Sequence, residues 1–270
     1  MSGYEGSAAL HVTLGDDSVL RVVLDKPAKR NALDDEMCAA MIAAVDEAGR
    51  DEAVRAILLT GAGDHFCGGF DIFTRNAAGG ARPRVGSIQR RLPAQAHRLI
   101  PLVLSVQVPV VCAVRGWAAG IGLHLTVASD FAVVASDAKL WEPFTERGFT
   151  PDSGGTWLLP RRVGEVRARE MLLLGRELTG DEAAAWGLVH RAVPAADVTA
   201  EAEALAVRLA QGPTVALGLT KWLMHRGAAA SLDDHLRDEA FGLELSSRSE
   251  DFREGLAAFT EKRPPRFTGR

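Results

Sequence analysis

Short apolar runs closed by turn-forming residues recur along the first half of the chain. Residues 19–24 form one such run, and residues 54–60 and 108–114 are apolar at most positions. Nearly continuous apolar runs of this length are typical of strands that are covered on both faces of a sheet. Two shorter runs, at residues 130–135 and 139–142, are also predicted to be strands.

Helical periodicity fills the intervals between these runs. Asp34 is a suitable N-cap for a helix in which apolar residues recur every three or four positions up to Ala48. From Glu165 onward the pattern is nearly all helical. Further helices are predicted over residues 94–105, from about Gly120, and over residues 199–209, 213–224, 231–245 and 251–262.

Strands that alternate with helices and are followed by a helical tail indicate an α/β protein. The pattern predicts a core at residues 1–198 and a C-terminal helical region, serving oligomerisation or as a lid, at residues 199–270. Residues 74–93 fit neither pattern, because they carry three glycines and five arginines. We predict a mobile, partly basic loop there, of the kind that often borders a binding site.

Composition narrows the class of protein. The 270 residues are 47% hydrophobic and carry a formal charge of −4, which gives no support for nucleic acid as a partner. Three unpatterned cysteines predict neither a disulfide framework nor a metal site, and they favour a reducing, cytoplasmic location. No signal peptide is expected at the N-terminus, and prolines interrupt the longest apolar stretch, residues 99–114, so no membrane span is expected either.

Two glycine-rich segments carry the strongest chemical signal. Residues 64–72 contain a Gly-Gly pair, and residues 116–124 contain a Gly-x-Gly. Glycine lets a backbone approach another group closely, and two such turns can aim two peptide N–H groups at one carbonyl oxygen. The pair of segments therefore predicts an oxyanion hole, whereas tight turns without a ligand are the structural alternative.

With their flanks, these segments resemble the oxyanion loops of the enoyl-CoA hydratase/isomerase (crotonase) superfamily. Residues 24–33, 150–156, 174–189 and 254–264 resemble other motifs of the family, in the expected order. The resemblance implies the crotonase spiral of ββα units with a C-terminal helical trimerisation region, and a homotrimer or a dimer of trimers. It also implies an acyl-CoA thioester as substrate, with coenzyme A as part of the substrate and no separate cofactor.

The resemblance assigns the two oxyanion donors to the backbone N–H groups of Gly68 and Ile121. A thioester that loses an α-proton becomes an enolate whose charge lies on the thioester oxygen. Losing one of two preorganised donors typically costs about 2.7–4 kcal/mol of transition-state stabilisation. A helix that starts near Gly120 would add the field of its positive end.

A coenzyme A site is also implied by the resemblance. Its cationic members would meet phosphates, for which Lys and Arg are suited, although solvated surface charge is the alternative for each. Phe259 and Lys262 would come from the same or a neighbouring subunit. The implied residues are Lys29, Arg30, Ala32, Gly68, Gly69, Phe70, Asp71, Ile121, Phe259 and Lys262.

The acid–base residues depart from the hydratases of the family, which use two glutamates. At those two positions this chain has His124 and Phe144. Asp152 is the carboxylate that remains, and one carboxylate suffices to move a proton between two carbons; a turn residue or helix N-cap is its alternative role. His124 is either a second acid–base group or a packed histidine. A shift of register by one or two residues would bring Glu142 or Glu146 into the site.

These residues predict an enzyme that shifts the double bond of an enoyl-CoA, with Asp152 as base. The first alternative is a hydratase-like lyase or thioester hydrolase that uses Asp152 and His124. The second is a catalytically silent protein that binds coenzyme A.

Overall fold

The computed structural model describes residues 3–71 and 84–270. Its strands form two sheets, and its helices pack around them. The strands are β1 (Leu10–Leu14), β2 (Val19–Leu24), β3 (Ala56–Gly61), β4 (Val110–Val114), β5 (Trp117–Ala119), β6 (Phe131–Ala135), β7 (Lys139–Trp141), β8 (Leu178–Thr179) and β9 (Arg191–Val193). The helices are α1 (Asp35–Ala48), α2 (Ser87–Arg91), α3 (Ala96–Ser105), α4 (Ile121–Ala128), α5 (Gly155–Leu174), α6 (Gly180–Ala185), α7 (Val198–Ala210), α8 (Thr214–Gly227), α9 (Leu232–Ser246) and α10 (Glu250–Glu261).

The larger sheet has the order β1-β2-β3-β4-β6-β9 and is parallel except for the β1–β2 hairpin. Its central strand β4 is buried at every position, as expected for a parallel strand between two layers of helix. The smaller sheet has the order β5-β7-β8. Because β5 and α4 follow β4 directly, the small sheet and the start of α4 lie just beyond the carboxyl end of the central strand.

Helix α7 covers the sheet with a stripe of small residues. Val198, Ala202, Ala206 and Ala210 recur every four residues and are buried, and the helix packs on β3, β4 and β6. Small side chains let a helix lie close to a sheet. The helices that pack on the sheet therefore include residues beyond 198. The division of the chain between residues 198 and 199 stays a prediction.

The long elements agree with the sequence predictions, while several short ones were missed. Helix α1 begins as expected, because the Asp34 side chain accepts a hydrogen bond from the Met37 N–H at 2.9 Å. The strands β1, β5, β8 and β9 were not predicted; three of them have only two or three residues, too few for a periodic signal. Helix α5 begins at Gly155 and is interrupted at Gly164, whose backbone is not helical, so the predicted helical start at Glu165 matches its second part and the first part was missed.

The predicted loop over residues 74–93 is wrong in its second part, because helix α2 and a 3₁₀ turn at Leu92–Ala94 lie there. Its first part, up to residue 83, lies outside the described residues. Within the described ranges, no helix has the length and apolar character needed to cross a bilayer. The three cysteines are buried, and a cytoplasmic location stays a prediction.

Candidate active site

The two glycine-rich segments lie side by side. Cys67 pairs in parallel with Ala118 of β5: its N–H donates to the Trp117 carbonyl at 2.9 Å, and its carbonyl accepts from Ala119 at 2.9 Å. A Cβ atom on Gly122 would lie 2.5 Å from the Cys67 carbonyl oxygen, so this approach requires glycine. The pairing places the two segments that lead to Phe70 and Ile121 side by side.

One of the two predicted oxyanion donors is corrected by this geometry. The N–H of Gly68 donates to the carbonyl of Arg30 at 2.8 Å, so it is engaged inside the protein and does not face a ligand. The Phe70 N–H makes no hydrogen bond to another described residue. Leu33 explains why: it pairs with Gly69 and Asp71, which turns the Phe70 N–H to the opposite side.

The Ile121 N–H is the other available donor. Ile121 is the first residue of α4, where backbone N–H groups have no partner within the helix. Its side chain is 1% exposed and faces the core, so the backbone is the part of Ile121 that this geometry offers to a ligand. The positive end of α4 adds to the field at this point.

A buried hydrogen-bond network lies one turn further along α4; we call Glu142, His124, Ser153 and Asp152 the buried network. His124 Nε2 lies 2.7 Å from Glu142 Oε1, and His124 Nδ1 lies 2.8 Å from Ser153 Oγ. The Ser153 hydroxyl donates to Asp152 Oδ1 at 3.0 Å. The network therefore connects a fully buried carboxylate to one that is half-buried.

The four members of the network come from three parts of the fold. His124 is on α4, Glu142 directly follows β7, and the other two precede α5. A Cβ atom on Gly155 would lie 2.2 Å from His124 Nε2, so glycine at the start of α5 makes room for the imidazole.

Asp152 does not cap the following helix, because the N-cap of α5 is Gly154 and no side chain accepts there. Its backbone carbonyl lies 2.8 Å from His97 Nε2, which fixes the loop. Its Oδ1 accepts from Ser153, whereas its Oδ2 has no hydrogen-bond partner among the described residues. One carboxylate oxygen of Asp152 therefore accepts a hydrogen bond from Ser153, and the other is available to a ligand.

An aromatic ring occupies the space between the network and the start of α4. Phe144 is 6% exposed, and its ring stacks on His124 with centroids 6.0 Å apart and planes 3° apart. The same ring lies 3.4 Å from the position of a Cβ atom on Gly120. This corner of the site is therefore apolar.

A cavity of about 510 Å³ opens beside Ser153 and Gly154. It lies between α3 and the first turn of α5, and its walls are mostly apolar. Ile100, Leu104 and Trp157 form much of the lining. A small or medium acyl group fits a space of this size and polarity.

Known proteins resemble this chain over almost its full length. A family model described as enoyl-CoA hydratase/isomerase matches residues 15–270. The chain belongs to the enoyl-CoA hydratase/isomerase family. It is 39% identical to the 1,2-epoxyphenylacetyl-CoA isomerase of Escherichia coli (strain K12), over 96% of this chain and 97% of that protein.

Other members of the family are similar over almost their full length. The chain is 41% identical to a Rhodobacter capsulatus protein named "Probable enoyl-CoA hydratase", over 92% of this chain and 94% of that one. The crystal structure of an enoyl-CoA hydratase from Polaromonas sp. JS666 superposes with a TM-score of 0.89 at 31% identity, covering 96% of this chain and all of that one. The crotonase fold expected from the sequence is confirmed.

Within the family pattern, the structure brings most of the implied coenzyme A residues together. The Leu33 N–H donates to the Gly69 carbonyl at 2.8 Å, which joins the segment containing Lys29, Arg30 and Ala32 to residues 68–71. Lys29 Nζ lies 2.8 Å from Asp71 Oδ2, so this lysine is tied to the loop by an ion pair. The Arg30 guanidinium lies 5.5 Å from the centroid of the Trp117 ring.

The two C-terminal residues are not brought there within this chain. Phe259 is 86% exposed on α10, and Lys262 is exposed at the end of the same helix. Their described hydrogen bonds stay within the C-terminal segment. Their role in binding coenzyme A stays a prediction.

Glu142 and Asn31 are the residues that sequence reasoning undervalued or missed. Glu142 lies two positions after the buried Leu140, and residues two apart in a strand share a face, so the alternation pointed inward. Asn31 is fully buried; its Oδ1 accepts from the Lys26 N–H, and its amide donates to the carbonyls of Ala62 and His65. No periodic signal marks such a residue.

The remaining candidates lie outside the reactive part of the site. Burial raises the pKa of the Cys67 thiol to about 11, so a thiolate nucleophile is not formed at neutral pH. Glu146 is exposed, and Arg147 next to it lies over the Trp141 ring at 5.5 Å. Within residues 3–71 and 84–270, no three His, Cys, Asp or Glu side chains are grouped as metal ligands.

Proposed function

We propose that the protein isomerises an acyl-CoA thioester by shifting a double bond, with Asp152 as the base. One observation carries this proposal: Phe144 fills the position of the second hydratase glutamate, while Asp152 keeps an available oxygen. A hydratase has to hold and deprotonate a water molecule, which needs polar groups where this site has an apolar ring. Moving a proton between two carbons needs a single base.

The proposed reaction proceeds in two proton transfers. Asp152 Oδ2 removes the proton from the α-carbon of a 3-enoyl thioester, and the electron pair of that C–H bond delocalises into a dienolate. The N–H groups of Phe70 and Ile121 hold the charge on the thioester oxygen. The neutral Asp152 then returns the proton to the γ-carbon, which gives the 2-enoyl thioester with no change in composition.

Substrate binding is proposed to use the loop next to these donors. Lys29 and Arg30 flank the loop, and either cation suits a phosphate of coenzyme A. The apolar cavity beside Ser153 is proposed to take the acyl group. Its volume of about 510 Å³ admits a branched or aromatic acyl group, and the name of the E. coli relative supports an aromatic substituent for this chain as well.

Assembly with further copies of the chain is proposed from the C-terminal helices. Monomeric proteins rarely leave large contiguous apolar patches exposed, and α8, α9 and α10 carry many apolar side chains at the surface. Seven of them are more than half exposed: Met224, Leu232, Leu236, Phe241, Leu243, Leu256 and Phe259. A trimer or a dimer of trimers would cover them and bring Phe259 and Lys262 to a neighbouring site.

A hydratase is the second candidate, favoured by the buried Glu142 and by the name of the R. capsulatus relative. The two functions separate when the purified protein is given a 3-enoyl-CoA and, separately, a 2-enoyl-CoA. Isomerisation converts the first into a conjugated 2-enoyl-CoA of equal mass, followed by absorbance. Reaction of the 2-enoyl-CoA alone, with the mass gain of one water, would contradict the proposed isomerase.

A further inference from the structure

The buried network contains more polar groups than proton removal by Asp152 requires. Glu142 and Ser153 are each 1% exposed, and His124 is fully buried. The second oxygen of Glu142, Oε2, is buried without a hydrogen-bond partner among the described residues. Burying an acid–histidine pair is costly, and apolar side chains of similar volume are often at least as stabilising. Packing alone therefore does not explain these residues.

The three distances in the network determine where its hydrogens lie. An ionised Asp152 only accepts hydrogen bonds, so the one hydroxyl hydrogen of Ser153 points to its Oδ1. The Ser153 oxygen then accepts from Nδ1 of His124, which must carry a hydrogen. The 2.7 Å contact between His124 Nε2 and Glu142 Oε1 holds one more hydrogen. With Asp152 ionised, the His124–Glu142 pair therefore has no net charge.

Removing one proton from that pair reverses the direction of the network. A neutral His124 that donates from Nε2 to the Glu142 carboxylate has an Nδ1 that accepts a hydrogen bond. The Ser153 hydroxyl then turns to His124 and no longer donates to Asp152. The number of protons on the His124–Glu142 pair thus decides whether Asp152 Oδ1 accepts a hydrogen bond from Ser153.

We propose that Glu142, His124 and Ser153 are positioning residues that hold Asp152 with Oδ1 engaged and Oδ2 free to take the substrate proton. This inference rests on the proposed function, because it matters for catalysis only if Asp152 is the base. Ser153 is not a nucleophile in this arrangement: its hydrogen is directed to Asp152, whereas an attacking serine has to give it to the histidine.

Other ionisable groups face the network from neighbouring elements. His97 on α3 contacts the Asp152 backbone, and His225 lines the cavity beside Ser153. Arg162 on α5 donates to carbonyls at the far end of α4, and Cys67 packs against Gly122. Among the described residues, none of these four is hydrogen-bonded to His124 or Glu142, so the pair is isolated from them.

Replacing Ser153 by alanine tests the link to Asp152. We expect kcat for double-bond isomerisation to fall about 10- to 100-fold, as small displacements of a reacting group do, while KM changes less than about threefold. Ser129→Ala is the matched control, because Ser129 is also buried and its hydroxyl donates to the Leu125 carbonyl of α4, with no described hydrogen bond to the buried network. Equal kcat values for the two variants would overturn the inference.

Two substitutions of Glu142 test the role of the pair. In Glu142→Gln the amide donates to His124 Nε2, so Nδ1 keeps its hydrogen and kcat stays within a few-fold of the unsubstituted protein. Glu142→Leu should lose activity about as strongly as Ser153→Ala, and the exposed Glu146→Gln should change nothing. A kcat of Glu142→Gln as low as that of Glu142→Leu would contradict the inference.

A spectroscopic reading tests the network without any turnover. In protein labelled with ¹⁵N-histidine, we expect Nδ1 of His124 to carry a hydrogen near neutral pH, both in the unsubstituted protein and in Glu142→Gln. A bare Nδ1, or an acyl group found on Ser153 by intact mass after mixing with an acyl-CoA, would overturn the inference. A protonated Nδ1 in a protein that isomerises no enoyl-CoA would support the network and contradict the proposed function instead.

Discussion

The candidate site has two halves, one formed by backbone groups and the other by side chains. The oxyanion half uses backbone N–H groups, aimed by glycines that let Cys67 and Gly122 meet at a distance no side chain would allow. The acid–base half uses side chains from α4, β7 and the loop before α5, held by three hydrogen bonds. The first half depends on where the backbone runs, and the second on which side chains it carries.

This difference explains why members of one family can share the first half and differ in the second. Exchanging a side chain in the acid–base half leaves the backbone donors in place. Here Phe144 and His124 stand where the sequence resemblance implies the glutamates of the hydratases, and the proposed base is Asp152. Substitutions that remove either a backbone donor or a carboxylate should therefore show the contribution of each half to the reaction separately.

The largest effect is expected from Asp152→Asn. Asparagine keeps the shape but cannot accept the substrate proton, so kcat for double-bond isomerisation should fall by about 10²–10⁴. Binding of coenzyme A, measured by calorimetry, should be unchanged. Glu146→Gln is the control for loss of a nearby carboxylate, and a kcat of Asp152→Asn close to that of the control would exclude Asp152 as the base.

A slightly smaller effect is expected from Ile121→Pro. Proline is accepted at the first position of a helix and removes the N–H, so one oxyanion donor is lost while α4 can still form. We expect kcat to fall about 10²–10³-fold. Ile121→Val keeps the N–H and should stay near the original rate. Circular dichroism verifies that both variants fold, and equal rates would contradict a role for this N–H.

The smallest effect is expected from Phe70→Leu. If Phe70 contributes its N–H, its side chain is secondary, and kcat should change less than about threefold in steady-state kinetics. Gly122→Ala, which changes no reacting group, should be far more harmful, because its Cβ would lie 2.5 Å from the Cys67 carbonyl. A large loss of kcat in Phe70→Leu would show that the ring itself takes part in the reaction.

The sequence was sufficient for the backbone half and insufficient for the side-chain half. Glycine pairs and long apolar runs are local signals, so the main strands, α1 and the meeting of the two glycine-rich segments were predicted. The predicted donor, Gly68, lies two positions before Phe70, whose N–H is available. Only the pairing of Leu33 with Gly69 and Asp71 decides which N–H points outward.

The network could not be predicted, because its hydrogen bonds join residues that are far apart in sequence. His124 lies 18 positions before Glu142 and 29 positions before Ser153. Their meeting depends on how β7 and the start of α5 pack against α4. Gly155, which makes room for His124, belongs to a Gly-Gly pair that by sequence alone indicates only a turn.

Hydrogen–deuterium exchange at the α-carbon of a saturated acyl-CoA in D₂O would test the central claim most directly, because it isolates proton removal by one carboxylate under an oxyanion hole. The account predicts that mass spectrometry detects exchange with the unsubstituted protein, slower exchange with Ser153→Ala and none with Asp152→Asn. Exchange that persists in Asp152→Asn would contradict it, since another group would then have to remove the proton.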